Sequence, residues 1–213
     1  MAVCCAYGKG IRALMVAYIF DTIVRRGSKA GYSPSVKRDS RSWFRQQAQK
    51  VTTANPTRLI RSDTARLTDK PLIGRMYLFQ YDPKFKDKLP YYDRFPLVFP
   101  FRKTSDGFYG LNMHYLPYDL RIYLLDALLT FKNNSRWDET TKLKYSWALI
   151  DGVSKYKAAQ PCVKQYLNGH VKSQFRKVSS QDWATAMLLP VERFVGASKQ
   201  QVWADSRKII RRA

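Results

Sequence analysis

Residues 74–117 read GRMYLFQYDPKFKDKLPYYDRFPLVFPFRKTSDGFYGLNMHYLP, and the reading of this stretch decides the fold. From Arg75 to Tyr81 the chain alternates as a half-buried strand does, with Met76, Leu78 and Gln80 on one side and Tyr77, Phe79 and Tyr81 on the other. Asp82 and Pro83 stop the run, because proline has no amide for a ladder and restrains the residue before it. Residues 95–101, FPLVFPF, are a second short apolar run whose two prolines suit an edge strand or a strand's ends. Residues 104–107, TSDG, tolerate tight-turn dihedrals, and the chain resumes as a strand from Phe108 to Tyr115. The three runs predict a β-meander.

Two later pieces extend the sheet. Residues 171–178 are a short mixed run, residues 179–182 read as a tight turn or one-turn helix, and residues 183–189 are apolar up to Pro190. Two strands joined by one helical turn bring the total to about five. The expected fold class is α+β: a small, strongly bent SH3-like β-barrel, since closure removes exposed edges. The alternative is a bent, open antiparallel sheet with helices on one face.

Around this core, residues 1–70 read as a basic helical extension and residues 71–213 as the α+β domain. Residues 11–24, IRALMVAYIFDTIV, are apolar but contain Arg12 and Asp21, and they fall short of the roughly 20 apolar residues of a membrane span. Lys9 and Arg12 precede an apolar run, as in a signal peptide, but no small-residue cleavage site of the expected form follows it. A helix docked on the domain or on a partner protein is expected, through Leu14, Val16, Tyr18, Ile19 and Phe20. Residues 27–35 read as a linker, and a basic helix is expected over residues 37–52. There Lys37, Arg38, Arg41, Arg45 and Lys50 fall on neighbouring turns with Trp43 and Phe44 between them. Asn55 and Pro56 break the pattern, and Arg58, Arg61 and Arg66 continue the charge through a second short helix.

Beyond the meander, residues 119–131 carry Leu120, Tyr123, Leu124, Ala127, Leu128 and Phe131 at helical spacing. Asp138 is the expected N-cap of a second helix reaching about Val153, so the two form an inserted hairpin. Gln160 and Pro161 open a third, shorter expected helix through Leu167, which completes a helical insertion over residues 118–168. Residues 197–210 predict an amphipathic C-terminal helix with a basic end.

The formal charge is +22, from 38 Lys and Arg against 16 Asp and Glu, and it calls for a polyanionic partner. With 45% hydrophobic and 14% aromatic residues the chain still has material for a core. Residues 1–70 hold 14 basic and 4 acidic residues, so the first third is the denser in charge. Three cysteines, Cys4, Cys5 and Cys162, make no disulfide framework and fit synthesis in a reducing compartment. Two histidines, His114 and His170, are too few for a zinc site of usual spacing.

The sequence has no phosphate-binding glycine loop and no supported catalytic triad, so no catalytic residue, metal or cofactor is expected. The acidic candidates are Asp82, Asp87 and Asp93, which together could hold a divalent ion for phosphodiester cleavage. Lys84, Lys86, Lys88 and Arg94 are interleaved with them and would partly neutralise such a site.

The segments GRMYLFQYDPK, LPYYDRFPLVFP and GFYGLNMHYLP, with Leu189 to Glu192 and Val202 to Arg207, resemble the small, basic virion proteins of T4-type tailed phages. Among these the resemblance is nearest to the DNA end protectors that complete the head. It implies a virion component, made in the bacterial cytoplasm, that shields the double-stranded genome end and docks to other virion proteins of the portal, neck or tail, with ring assembly possible and no membrane. No set of binding residues comes with it. Charge and aromatic pattern alone nominate Lys37, Arg38, Arg41, Trp43, Arg45, Lys50, Arg58 and Arg61 as contacts to DNA phosphates, with Trp43 as anchor or stacking group. A structural adaptor of the neck, tail or baseplate is the alternative, and a metal-dependent nuclease a third reading.

Overall fold

The computed structural model describes residues 23, 26–31, 38–51 and 55–212. Leu14, Val16, Tyr18, Ile19, Phe20 and Lys37 lie outside the described residues. The protein is an α+β fold built on an antiparallel six-stranded sheet of order β1-β7-β2-β4-β5-β6. Its strands are β1 (Leu67–Thr68), β2 (Met76–Leu78), β4 (Leu97–Lys103), β5 (Gly107–Asn112), β6 (Val163–Leu167) and β7 (Phe175–Val178). β3 (Tyr92–Asp93) and β8 (Phe194–Val195) pair separately as a small second sheet. The helices are α1 (Arg38–Gln49), α2 (Pro56–Arg61), α3 (Tyr118–Lys132), α4 (Glu139–Ser154), α5 (Trp183–Leu188) and α6 (Lys199–Arg211).

The meander is present as β2, β4 and β5, in that order. Its prolines do not mark an edge, since β4 lies between β2 and β5. Pro100 is tolerated there because β2 pairs only with Leu97 and Val98, and the β4–β5 register shifts between Pro100 and Arg102. At such a bulge a missing amide breaks no ladder bond. Gly110 faces this strand so closely that a Cβ would come within 2.2 Å of Val98 Cγ1.

The sheet is open: β1 and β6 are its two edges, and no barrel is closed. It is nonetheless sharply curled. The ring centroids of Phe108 on β5 and Phe175 on β7 are 5.8 Å apart. These strands lie three places apart, which in a flat sheet would separate them by about 14 Å. Tyr77, Phe79, Tyr81, Val98, Phe108, Tyr166 and Phe175 fill the inside of the curl. The opposite face packs Met76, Leu78, Leu97, Phe99, Leu111 and Met113 against helices.

Two elements differ from expectation. Residues 183–188 are helix α5 rather than a strand, and all six are buried. A segment apolar on every side shows neither a two- nor a 3.6-residue period, so its sequence cannot distinguish the two. The strand that pairs with β5 is instead β6, where a short helix to Leu167 was expected. Its turn, a 3-10 helix over Asn168–His170, leads to an isolated bridge between Val171 and Tyr81 and then to β7. Two strands joined by one helical turn therefore exist, at residues 163–178. The α3–α4 hairpin is inserted between β5 and β6, and Asp138 caps α4 by accepting from Thr141 N at 2.6 Å.

Residues 26–29 are helical, and glycine at position 27 lets them lie on α1: a Cβ there would come 2.7 Å from Phe44 Cζ. At the far side, a buried polar pin joins the ends of several elements. The Arg121 guanidinium, on α3, donates to the carbonyls of Leu116, Met187 and His114 at 2.6, 2.7 and 3.1 Å. The Tyr118 and Trp203 rings lie over it at 4.7 and 5.4 Å.

Candidate nucleic-acid interface

Two of the nominated cations are positioned by the way α2 forms. The Asn55 side chain accepts from Arg58 N at 3.2 Å and Pro56 takes a first-turn position, where its missing amide costs nothing. Leu59 and Ile60 turn into the core, which leaves Arg58 and Arg61 exposed. The buried Arg176 on β7 donates to Leu59 O and, at 2.6 Å, to Ser62 Oγ, so α2 is bolted to the sheet. Arg66 extends the fastening through Asp63 at 2.9 Å and Asp182 at 2.7 Å, and is therefore a structural cation.

From Arg61 the surface continues across two adjoining clefts. The first, of about 230 Å³, is lined by Arg61 and Lys172. The second, of about 630 Å³, is lined by Lys172, Lys70 and Lys103. The two share Lys172, Ser173 and Gln174. The backbone holding Lys172 is fixed to the sheet, since Lys172 N donates to Gln80 O at 2.8 Å and Gln80 N to Ser173 Oγ at 2.9 Å. Arg61, Lys70, Lys103 and Lys172 are exposed, and none forms an ion pair with another described residue. The carboxylate lining the larger cleft is Asp69, whose Oδ1 accepts from Gln174 Nε2 at 2.8 Å. These cations form a track along two adjoining clefts that share Lys172.

Trp43, Arg45 and Lys50 do not line these clefts. Arg38 and Arg41 belong to α1, and Lys50 is exposed just past its end. Arg45 is half-buried. Trp43 is half-buried against the main core, with its ring edge-on to Phe44 at 5.0 Å, and so acts as an anchor of α1. Sequence reasoning missed Lys70, Lys103 and Lys172. Each is an ordinary lysine beside a turn, and only the curl brings them together.

The acidic candidates do not converge. Asp93 is buried and its carboxylate is fully engaged: Oδ2 meets His114 Nδ1 at 2.7 Å and accepts from Asn112 Nδ2 at 3.2 Å, while Oδ1 accepts from Phe95 N at 3.1 Å. Asp82 pairs with Lys86 at 3.3 Å, and Asp87 is exposed. Among the described residues no group of three or more His, Cys, Asp or Glu is placed to hold a metal ion. His114 lies in a 3-10 turn over Met113–Tyr115, where the expected strand has already ended at Asn112, and it is buried and packed. Burial pushes the Cys162 thiol up to about 12, which leaves it an inert core group. No helix of the described residues is long and apolar enough to cross a membrane.

No curated protein and no solved structure matches the chain. A family described as phage T4 terminal DNA protecting protein matches it over residues 9–211. The chain therefore belongs to this family of phage proteins that bind and protect DNA ends.

Proposed function

We propose that the Arg61–Lys172–Lys70–Lys103 track is the surface that holds the duplex near its end, and that the protein protects by occupancy, without chemistry of its own. The observation that carries this reading is four exposed cations on contiguous clefts with their one carboxylate neighbour already hydrogen-bonded. Such a row neutralises backbone phosphates without reading bases, which suits a protein that must accept whatever sequence the end carries. Arg58 lies on the same helix, three residues before Arg61, and extends the row. The sheet that presents it is an unsealed relative of the SH3-like barrel, with β6 and β7 joined by a single 3-10 turn around an aromatic centre.

The protein acts as a component of the virion and meets other virion proteins there. The apolar residues 11–24, of which Ile23 is described, are the sequence's candidate for that contact. The test is a salt series on binding to linear duplex DNA. Each phosphate contact contributes roughly 0.9 to the slope of log K against log salt. Replacing Lys70, Lys103 and Lys172 by Gln shallows the slope by about that much per lysine. An unchanged slope moves the interface elsewhere and leaves the adaptor reading in its place.

A further inference from the structure

Beyond the track lies a third cleft, of about 510 Å³, between β6 and the long connection from β2 to β4. It begins where the track ends: Asp106 and Leu167 line it, and their chain neighbours Gly107 and Asn168 line the cleft of Lys70 and Lys103. Its walls are Phe85, Tyr91, Tyr92 and Tyr115, with Lys84 and Lys164 among them. Phe85 is 56% exposed, an unusual state for a large apolar ring. The Lys84 and Lys88 ammoniums lie over that ring at 5.5 and 5.9 Å.

Lys164 is the more telling group. Its Nζ lies 4.2 Å from the Tyr115 ring centroid, and it forms no ion pair with a described carboxylate. Burial holds its ammonium below the ordinary lysine range. A partly desolvated cation without a counter-charge gains most from an arriving anion. Asp106 also faces the cleft, and Thr104 Oγ1 donates to it at 3.1 Å.

The geometry points to this cleft as the seat of a single unpaired terminal nucleotide, its base stacked on the aromatic wall and its phosphate held by Lys164 and Lys84. This rests on the track reading above, because the track delivers the end to the cleft. A duplex is too broad for such a volume, whereas one nucleotide fits a pocket of this class. Exposed aromatic rings interleaved with lysines are the sequence-tolerant means by which proteins hold unpaired bases. An end-protecting protein that grips the last nucleotide distinguishes an end from the duplex interior, which phosphate contacts alone do not do.

The experiment uses the full-length protein, a linear duplex with free ends, and the same duplex closed by hairpins at both ends. The native protein binds the free-ended form more tightly. Phe85→Ala and Lys164→Gln each lower that affinity roughly 5- to 100-fold, the range for losing a stacked base, and leave the hairpin-closed affinity unchanged. Phe85 is at an exposed position, so its variant folds even if Lys164→Gln does not. An iodinated uracil at the terminal position, irradiated in the complex, crosslinks to the cleft. Crosslinks confined to other residues, or variants that keep the free-end preference, overturn the inference. So does capture of a proline-rich peptide by the cleft with no terminal crosslink. Loss of hairpin-closed binding in the triple lysine variant, with the cleft variants silent, upholds the track and rejects the cleft.

Discussion

The two faces of the curled sheet share strands but solve different problems. One is backed by helices and buries a mixture of aliphatic, sulfur and aromatic side chains among α1, α3, α4 and α5. On the other, seven residues, six of them aromatic rings carried by four strands and their flanks, cover one another, and no helix residue joins them among the described residues. Phe79 alone meets Tyr81, Phe108, Tyr166 and Phe175 with centroids between 4.8 and 6.3 Å. A face covered by its own curvature leaves its rim free, and that rim carries Lys70, Lys103 and Lys172. A face covered by helices gives up its rim to packing. Here the proposed binding surface follows from how the second core is closed.

The strongest way to break this comparison is at the centre of the curl. Phe79→Ala removes the ring that the others touch, and a core phenylalanine lost in this way costs about 3–5 kcal/mol, read from denaturant unfolding. A cost below about 1 kcal/mol would mean that the ring cluster does not hold the curl. On the helix-backed side, Arg121→Ala strands three carbonyls around a cavity and costs about 3 kcal/mol by the same measurement.

A smaller effect sharpens the picture where α6 docks. Glu192 is buried beside Lys199, 3.0 Å away. Burial alone would raise its carboxyl, but the charges of His114, Arg121 and Lys199 outweigh this and hold it below the ordinary glutamate range. A carboxyl depressed in the folded state stabilises above its unfolded value, about pH 4.3, and that contribution is lost as pH falls through the folded value. Urea midpoints therefore fall with acid below about pH 4.3, and Glu192→Gln flattens this limb. Ser198→Ala deletes the N-cap that accepts from Gln201 N at 3.2 Å and lowers stability by about 1 kcal/mol. Least of all in stability, Lys70→Gln, Lys103→Gln and Lys172→Gln each stay within about 0.5 kcal/mol of the native protein, so any loss of DNA binding is not a loss of fold.

The meander was legible in the sequence because strict alternation in residues 75–81 and the turn at 104–107 state the register outright. The α3–α4 hairpin and α6 were legible for a similar reason, with Asp138 as a stated cap. Residues 183–188 were illegible since complete burial erases periodicity, and residues 163–167 since five residues are too few to show one. Of the candidate interface, Arg58 and Arg61 could be read as exposed cations on a capped turn. Their partners could not: Lys172 reaches the neighbourhood of Lys70 only because β7 inserts between β1 and β2, a long-range pairing with no local signal.

Whether the track keeps a DNA end covered is tested most directly by exonuclease challenge of a linear duplex. With saturating native protein the duplex survives digestion. With Arg61, Lys70, Lys103 and Lys172 all changed to Gln, in a protein whose unfolding midpoint matches the native one, the duplex is degraded at the rate of naked DNA. Protection by that variant equal to the native protein's would contradict the account.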